Sequence, residues 1–161
     1  MLDAGCGTAP MISVLSERFP NVNFTGIDLT PKMIEVAKSK NIPNATFVCG
    51  DCESLPFEKD SFDVIICSQS FHHYPYPEKA MREAWRVLKS GGLYILSDTG
   101  IGGVGAWIDN HILFKLARSG DCHTTNRKGI EKMRVGAGFT VVDSRQIRGT
   151  IYTVTGKKES R

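Results

Sequence analysis

Apolar and polar positions along the chain switch between two periods. Over residues 10–19 the apolar positions recur at helical spacing, with Ile12, Leu15 and Phe19 on one face and Pro10 at a tolerated first-turn position. A second helical stretch runs to residue 38, opened by Thr30 and Pro31 as cap and first turn, with Met33, Ile34 and Ala37 inward. The clearest helix covers residues 77–89, where Met81, Ala84, Trp85 and Leu88 share a face and Gly91 and Gly92 follow as a stop. Short apolar runs at 2–4, 22–27, 45–48, 62–68 and 93–97 read as strands. The run at 62–68 is almost wholly apolar, as a strand covered on both faces should be.

Four strand-then-helix steps in succession predict a parallel sheet with helices on both faces. The end of the chain differs. Helices are expected over 107–118, carrying Trp107, Ile108, Ile112 and Leu116 as core or interface, and over 126–135. Strands at 139–147 and 150–155 follow, joined by Arg148 and Gly149. That joint is too short for a crossover helix, so the pair should form an antiparallel hairpin. The glycines between residues 100 and 105 read as a flexible hinge or a plain linker. The expected fold class is therefore α/β: a doubly wound, mostly parallel seven-stranded sheet closed by a C-terminal antiparallel hairpin, with residues 1–161 as a single domain.

Composition narrows the function. A chain of 161 residues, 41% hydrophobic and 23% charged, has room for one proper core and lies outside the disordered and fibrous classes. No apolar run approaches the ~18–20 residues of a membrane span. The net charge of +3 is scattered apart from a small tail cluster at Lys157 and Lys158, so no nucleic acid is expected as a partner. The five cysteines are an odd number with no secretory framework, and residues 1–5 lack a leader's basic and apolar regions. A cytoplasmic location with reduced thiols is expected.

The loop Asp3-Ala4-Gly5-Cys6-Gly7-Thr8-Ala9-Pro10 follows a strand and opens a helix. Glycines there permit a tight turn and a close ligand, and the helix N-terminus offers N–H groups to a negative group. A dinucleotide fingerprint needs a sixth-position glycine, where this chain has Pro10, with no N–H and a ring that crowds a pyrophosphate. Asp28 ends the second strand, 23 residues past Gly5, where an acceptor-only carboxylate can take both hydroxyls of a ribose. Asp51 follows the third strand within Cys49-Gly50-Asp51-Cys52. As a C-x-x-C, that segment lacks the helix behind it that a redox dithiol uses and the second pair that zinc needs, so no metal is expected.

Together the segment 3–8, Asp28, Asp51, the strand 62–68 and the passage Ala84-Trp85-Arg86-Val87-Leu88-Lys89-Ser90-Gly91-Gly92 resemble the successive motifs of class I S-adenosylmethionine-dependent methyltransferases. The chain is similar to the small-molecule type among these, including the methyltransferases of ubiquinone and menaquinone synthesis. Ala9 departs from the motif by replacing its third glycine, and its methyl group is expected to narrow the pocket. The resemblance implies a Rossmann-like fold, S-adenosyl-L-methionine as cofactor, and methyl transfer by in-line displacement to a small-molecule acceptor. It also implies residue roles. Asp3 lies near the methionine amine, and Gly5, Cys6 and Gly7 line the methionine chain. Asp28 takes the ribose and Leu29 packs against adenine. Asp51 and Cys52 address the adenine edge, and Ser68 closes the fourth strand beside the cofactor.

The loop Ser68-Gln69-Ser70-Phe71-His72-His73-Tyr74 leaves that strand at the crevice of an open sheet. His72 or His73 is the candidate general base, since a neutral imidazole accepts protons near pH 7. The Asn/Asp-Pro-Pro-Tyr motif of amino-methylating nucleic-acid enzymes is absent, which favours a carbon, oxygen or sulfur acceptor. An arsenic substrate, held by cysteines, finds no convincing match in the spacings. Family members usually carry some tens of residues before the glycine loop, so this chain reads as N-terminally short, with a weakened first strand and no lid. The alternatives are a non-catalytic methyltransferase-like binding module and a nicotinamide-dinucleotide-dependent oxidoreductase.

Overall fold

The strands are β1 (Leu2–Ala4), β2 (Phe24–Asp28), β3 (Ala45–Cys49), β4 (Phe62–Ser68), β5 (Leu88–Thr99), β6 (Thr140–Arg148) and β7 (Ile151–Lys157). In the computed structural model, which describes residues 1–110 and 122–160, they form one sheet in the order β3-β2-β1-β4-β5-β7-β6. The pairings from β3 through β5 are parallel, and β7 runs antiparallel to both β5 and β6. The expected mostly parallel sheet with its closing hairpin is thus the observed one. The order reverses between β1 and β4, so the loops leaving those two strands part and open a crevice.

Helices α1 (Pro10–Arg18) and α2 (Pro31–Ser39) cover one face of the sheet. There Ile12, Ile34 and Ala37 pack with Cys6, Ala9, Phe24 and Phe47. Helices α3 (Pro77–Val87) and α5 (Arg127–Gly136) cover the other face. There Met81, Ala84, Val87 and Ile130 meet Leu2, Ile65, Leu96 and Val154. Between them in sequence lies the short α4 (Gly103–Ile108). The remainder of the helix expected over 107–118, with Ile112 and Leu116, lies outside the described residues.

Several expectations are corrected. The four strand-then-helix steps are β1–α1, β2–α2, β4–α3 and β5–α4, and the connection from β3 to β4, residues 50–61, holds no helix. Side chains pin this loop instead: Arg86 donates to the carbonyls of Leu55 and Phe57, and Glu83 accepts from the Leu55 N–H. Met33 is exposed, because α2 turns only Ile34 and Ala37 inward. The Thr30 hydroxyl makes no cap. Its backbone N–H donates to Asp28 Oδ1 at 2.9 Å instead. Gly91 and Gly92 do not stop α3, which ends where Leu88 turns extended. They belong to β5, beside a register shift between Phe62 and Val64.

Lys158 does the stopping. Its ammonium is 2.9 Å from the Trp85 carbonyl, 2.6 Å from that of Leu88 and 2.8 Å from Asp60, with the Trp85 ring 4.1 Å away. A cation on the last carbonyls of a helix satisfies orphan acceptors and complements the dipole. The expected basic tail cluster is therefore split, since Lys158 is only 6% exposed. Two of the glycines after β5 are fitted against a neighbouring segment. Side chains on Gly100 and Gly102 would collide with Thr125 and Asn126, so both glycines serve a close approach of two chain segments.

Candidate functional site

The C-terminal ends of β1, β2, β3 and β4 converge on two adjoining clefts. The first, about 480 Å³, is bordered by Gly5, Gly7, Asp28, Leu29, Asp51 and Cys52 among others, and by the loop after β4. The second, about 380 Å³, is bordered by Asp3, Cys6, Ser68 and the first turns of α1. Gly5 and Gln69 border both. All nine residues expected around a cofactor therefore meet at one end of the sheet.

The glycine loop is held from behind. The Gly5 and Cys6 N–H groups both donate to the Ile27 carbonyl at 2.9 Å, and the Gly7 N–H donates to Asp28 Oδ2 at 2.9 Å. These three N–H groups are therefore occupied; all three precede Ala9, the N-cap of α1. The two glycines also differ in purpose. A side chain on Gly5 would collide with Ser70, so this glycine is needed for packing as well as for its φ of +76°. Nothing lies within 4 Å of the place a Gly7 side chain would take, which leaves the first cleft open there. Ala9 adopts φ +61° and is wholly buried in the α1–α2 core. Its methyl group borders neither cleft, so it does not narrow the pocket.

Charge defines what the clefts accept. Their borders carry Asp3, Asp28, Asp51 and Glu53, and no lysine or arginine among the described residues. Asp3 is 2% exposed, and burial, with Asp28 nearby, pushes its carboxyl up to about 7. A pyrophosphate would meet this acidic wall with only repulsion, whereas a positively charged ligand would relieve it. Leu29, 70% exposed on the cleft's border, offers an unburied apolar surface for a flat ring.

Cys6, Cys52 and Cys67 are buried, whereas Cys49 and Cys122 are exposed. Burial pushes the Cys6 and Cys52 thiols up to about 12 and raises Cys67 as well, so none of the three is a thiolate near neutrality. No cluster that could hold a metal ion occurs among the described residues.

The two histidines part company. His73 borders the first cleft. His72 turns toward β5, where its Nδ1 lies 2.7 Å from Asp98 Oδ1 and its backbone N–H donates to Asp98 Oδ2 at 3.0 Å. Their rings lie 4.1 Å apart. Asp98 is buried and also accepts from the Thr99 N–H at 2.7 Å. Below the loop, Tyr74 places its hydroxyl 3.2 Å from Ser70 Oγ. Asp98, Gln69, Ser70, Tyr74 and Glu53 all escaped sequence reasoning as site residues. Asp98 had a signal, an acid near the end of an apolar strand, as at Asp28. Gln69 follows β4 directly at the crevice, and its φ of +52° marks a strained non-glycine residue of the kind that gathers at functional sites.

The sheet order and the crevice at its switch point define an open, doubly wound α/β domain. Within it, the family described as "Methyltransferase domain" matches residues 2–96, and the chain belongs to that family. Over 77 residues it is 47% identical to "Uncharacterized methyltransferase YcgJ" of Bacillus subtilis (strain 168), covering 45% of this chain and 30% of that protein. The crystal structure of YcgJ superposes with a TM-score of 0.77 at 31% identity, over 91% of this chain and 64% of that one. "Phthiotriol/phenolphthiotriol dimycocerosates methyltransferase 1" of Mycobacterium ulcerans (strain Agy99) is 35% identical over 99 residues, 61% of this chain and 36% of that protein. The chain thus spans about a third of the length of these curated relatives. The fold is also that of a SAM dependent methyltransferase from Aquifex aeolicus, with a TM-score of 0.77 at 17% identity over 96% and 79% of the two chains.

Proposed function

We propose that residues 1–161 act as a single class I domain that binds S-adenosyl-L-methionine and methylates a small molecule. The observation that carries this reading is the acidic border of the two clefts, with four carboxylates and no lysine or arginine among the described residues. It suits a cofactor bearing an ammonium and a sulfonium, and it opposes the dinucleotide alternative more strongly than Pro10 does.

Bound there, the cofactor supplies an already activated methyl group. Asp3 faces its cationic amino end across the second cleft. Asp28, steadied by the Gly7 and Thr30 N–H groups, keeps lone pairs for the ribose hydroxyls. Leu29 covers the adenine, and Asp51 and Cys52 address its edge. Ser68 ends β4 beside the second cleft. The mycobacterial relative is named for phthiotriol/phenolphthiotriol dimycocerosates. An acceptor other than nucleic acid is likewise assigned here, consistent with the apolar Tyr74 and Pro75 on the first cleft's border.

The chain's own contribution to the reaction is positioning and proton removal. Positioning provides much of such a rate, since effective molarities reach ~10⁵ M or more. His72 or His73 is the base. His72 is held with its Nδ1 2.7 Å from Asp98 Oδ1, and His73 borders the first cleft. A positioned base adds ~10²–10⁴ where the acceptor must lose a proton.

Calorimetric titration with S-adenosylhomocysteine and with NADH tests the reading. S-adenosylhomocysteine should bind, NADH should not, and Asp28→Ala should weaken binding about tenfold, close to the worth of a charge-assisted hydrogen bond. Saturating S-adenosylhomocysteine without any heat or thermal shift would reject it.

A further inference from the structure

The clefts' four carboxylates are not equivalent, and Glu53 faces a different way from the other three. It borders the first cleft, yet it is only 5% exposed. Its backbone N–H donates to Asp51 Oδ1 at 2.8 Å. Its side-chain Oε1 accepts the Tyr76 N–H at 2.7 Å. Tyr76 is the N-cap of α3 and the last residue of the loop that carries His72 and His73. A carboxylate at that helix start is also favoured by the helix dipole.

The loop 51–57 is tied to α3 further along as well, through Glu83 and Arg86. Those contacts lie turns away from the clefts. Glu53 spans from the turn holding Asp51 to the end of the histidine loop, while its neighbour Cys52 meets the Tyr74 hydroxyl within that loop. The opposite end of that loop is held by Asp98 through His72. The histidines therefore sit between two buried carboxylates, one on β5 and one on the wall expected to meet adenine.

We propose that Glu53 is a positioning residue that couples occupancy of the adenosine end of the cleft to the order of the histidine loop. The inference rests on the cofactor reading above. A ligand seated on Asp51 restrains the 51–53 turn, the turn fixes the Glu53 carboxylate, and the carboxylate fixes Tyr76 and the loop before it. The coupling requires an acceptor oxygen at the right reach, not a negative charge.

Amide hydrogen exchange over residues 70–76, with and without S-adenosylhomocysteine, reads this directly. In the unaltered chain and in Glu53→Gln, which keeps an acceptor oxygen, the ligand should slow exchange there about fivefold or more, the lower range of measured site-to-site coupling. In Glu53→Ala and in Glu53→Asp, whose shorter side chain falls short of Tyr76, calorimetry should still find binding while the ligand-dependent slowing is lost. A merely structural role would raise exchange equally with and without ligand. Slowing that persists in both Glu53→Ala and Glu53→Asp, or that is absent in the unaltered chain despite binding, overturns the coupling alone. Failure of the unaltered chain to bind overturns both the coupling and the cofactor reading.

Discussion

Ser70 Oγ occupies the space that a side chain on Gly5 would need, so the glycine loop after β1 and the histidine loop after β4 are fitted to each other at one point. The fit joins the two halves of the sheet at their switch point. Gly5→Ala should lower stability by about 2 kcal/mol or more, combining overpacking with a backbone at positive φ. Adding Ser70→Gly should recover most of the packing part, with the Tyr74 hydroxyl still 2.9 Å from the added methyl group, and leave the backbone part. Urea unfolding of the single and double variants measures both. A Gly5→Ala chain as stable as the original would show that the two loops yield freely.

Asp3 should make the protein's stability fall with rising pH. Burial, with Asp28 nearby, holds its folded carboxyl up at about 7, well above the ordinary carboxylate value of roughly 4. Between those values the folded state holds a proton that the unfolded state has released, so stability decreases as pH rises through this window. The cost is absent well below pH 4 and complete above about 7. Asp3→Asn should therefore gain stability over the original chain at pH 8, by a margin that shrinks steadily toward pH 4. Thermal unfolding at several pH values tests this, and a margin independent of pH would refute it.

Lys158 and Lys157 are neighbours with opposite expected consequences. Lys158→Met should cost about 2–4 kcal/mol, because it unpairs the buried carbonyls of Trp85 and Leu88 and strips a cation from the end of α3. Lys157→Met removes a side chain whose ion pair with Glu159, at 3.7 Å, is exposed, and should change stability by less than about 0.5 kcal/mol. Paired denaturation curves decide it. Equal effects would mean that the tail lysines act only as surface charge.

Arg134 on α5 is wholly buried and stacks its guanidinium 4.2 Å from the Tyr94 ring, yet among the described residues Nε, Nη1 and Nη2 find no hydrogen-bond partner. Burial pushes the group down to about 10, still charged at neutral pH. An unpaired buried cation costs more than one aromatic face returns, at roughly 2 kcal/mol. Arg134→Met keeps the apolar stem and should raise the melting temperature. A clear fall would show that stacking on Tyr94 and Phe139 outweighs the missing hydrogen bonds.

Much of this protein was legible in one dimension. Hydrophobic period and turn length determined the strand order class, the closing hairpin and the faces of α1 and α3, because burial selects side chains by position along a helix or strand. The spacing of Asp3, Gly5, Gly7, Asp28 and Asp51 marked the ends of β1, β2 and β3, because a parallel sheet brings strand ends together whatever lies between them. Tertiary structure decided what depends on contact between distant segments. Ser70 filling the Gly5 notch, Asp98 holding His72, Glu53 reaching Tyr76 and Lys158 capping α3 each join residues 22 or more positions apart. No local propensity records such pairs, since the partner's position exists only after the chain has folded.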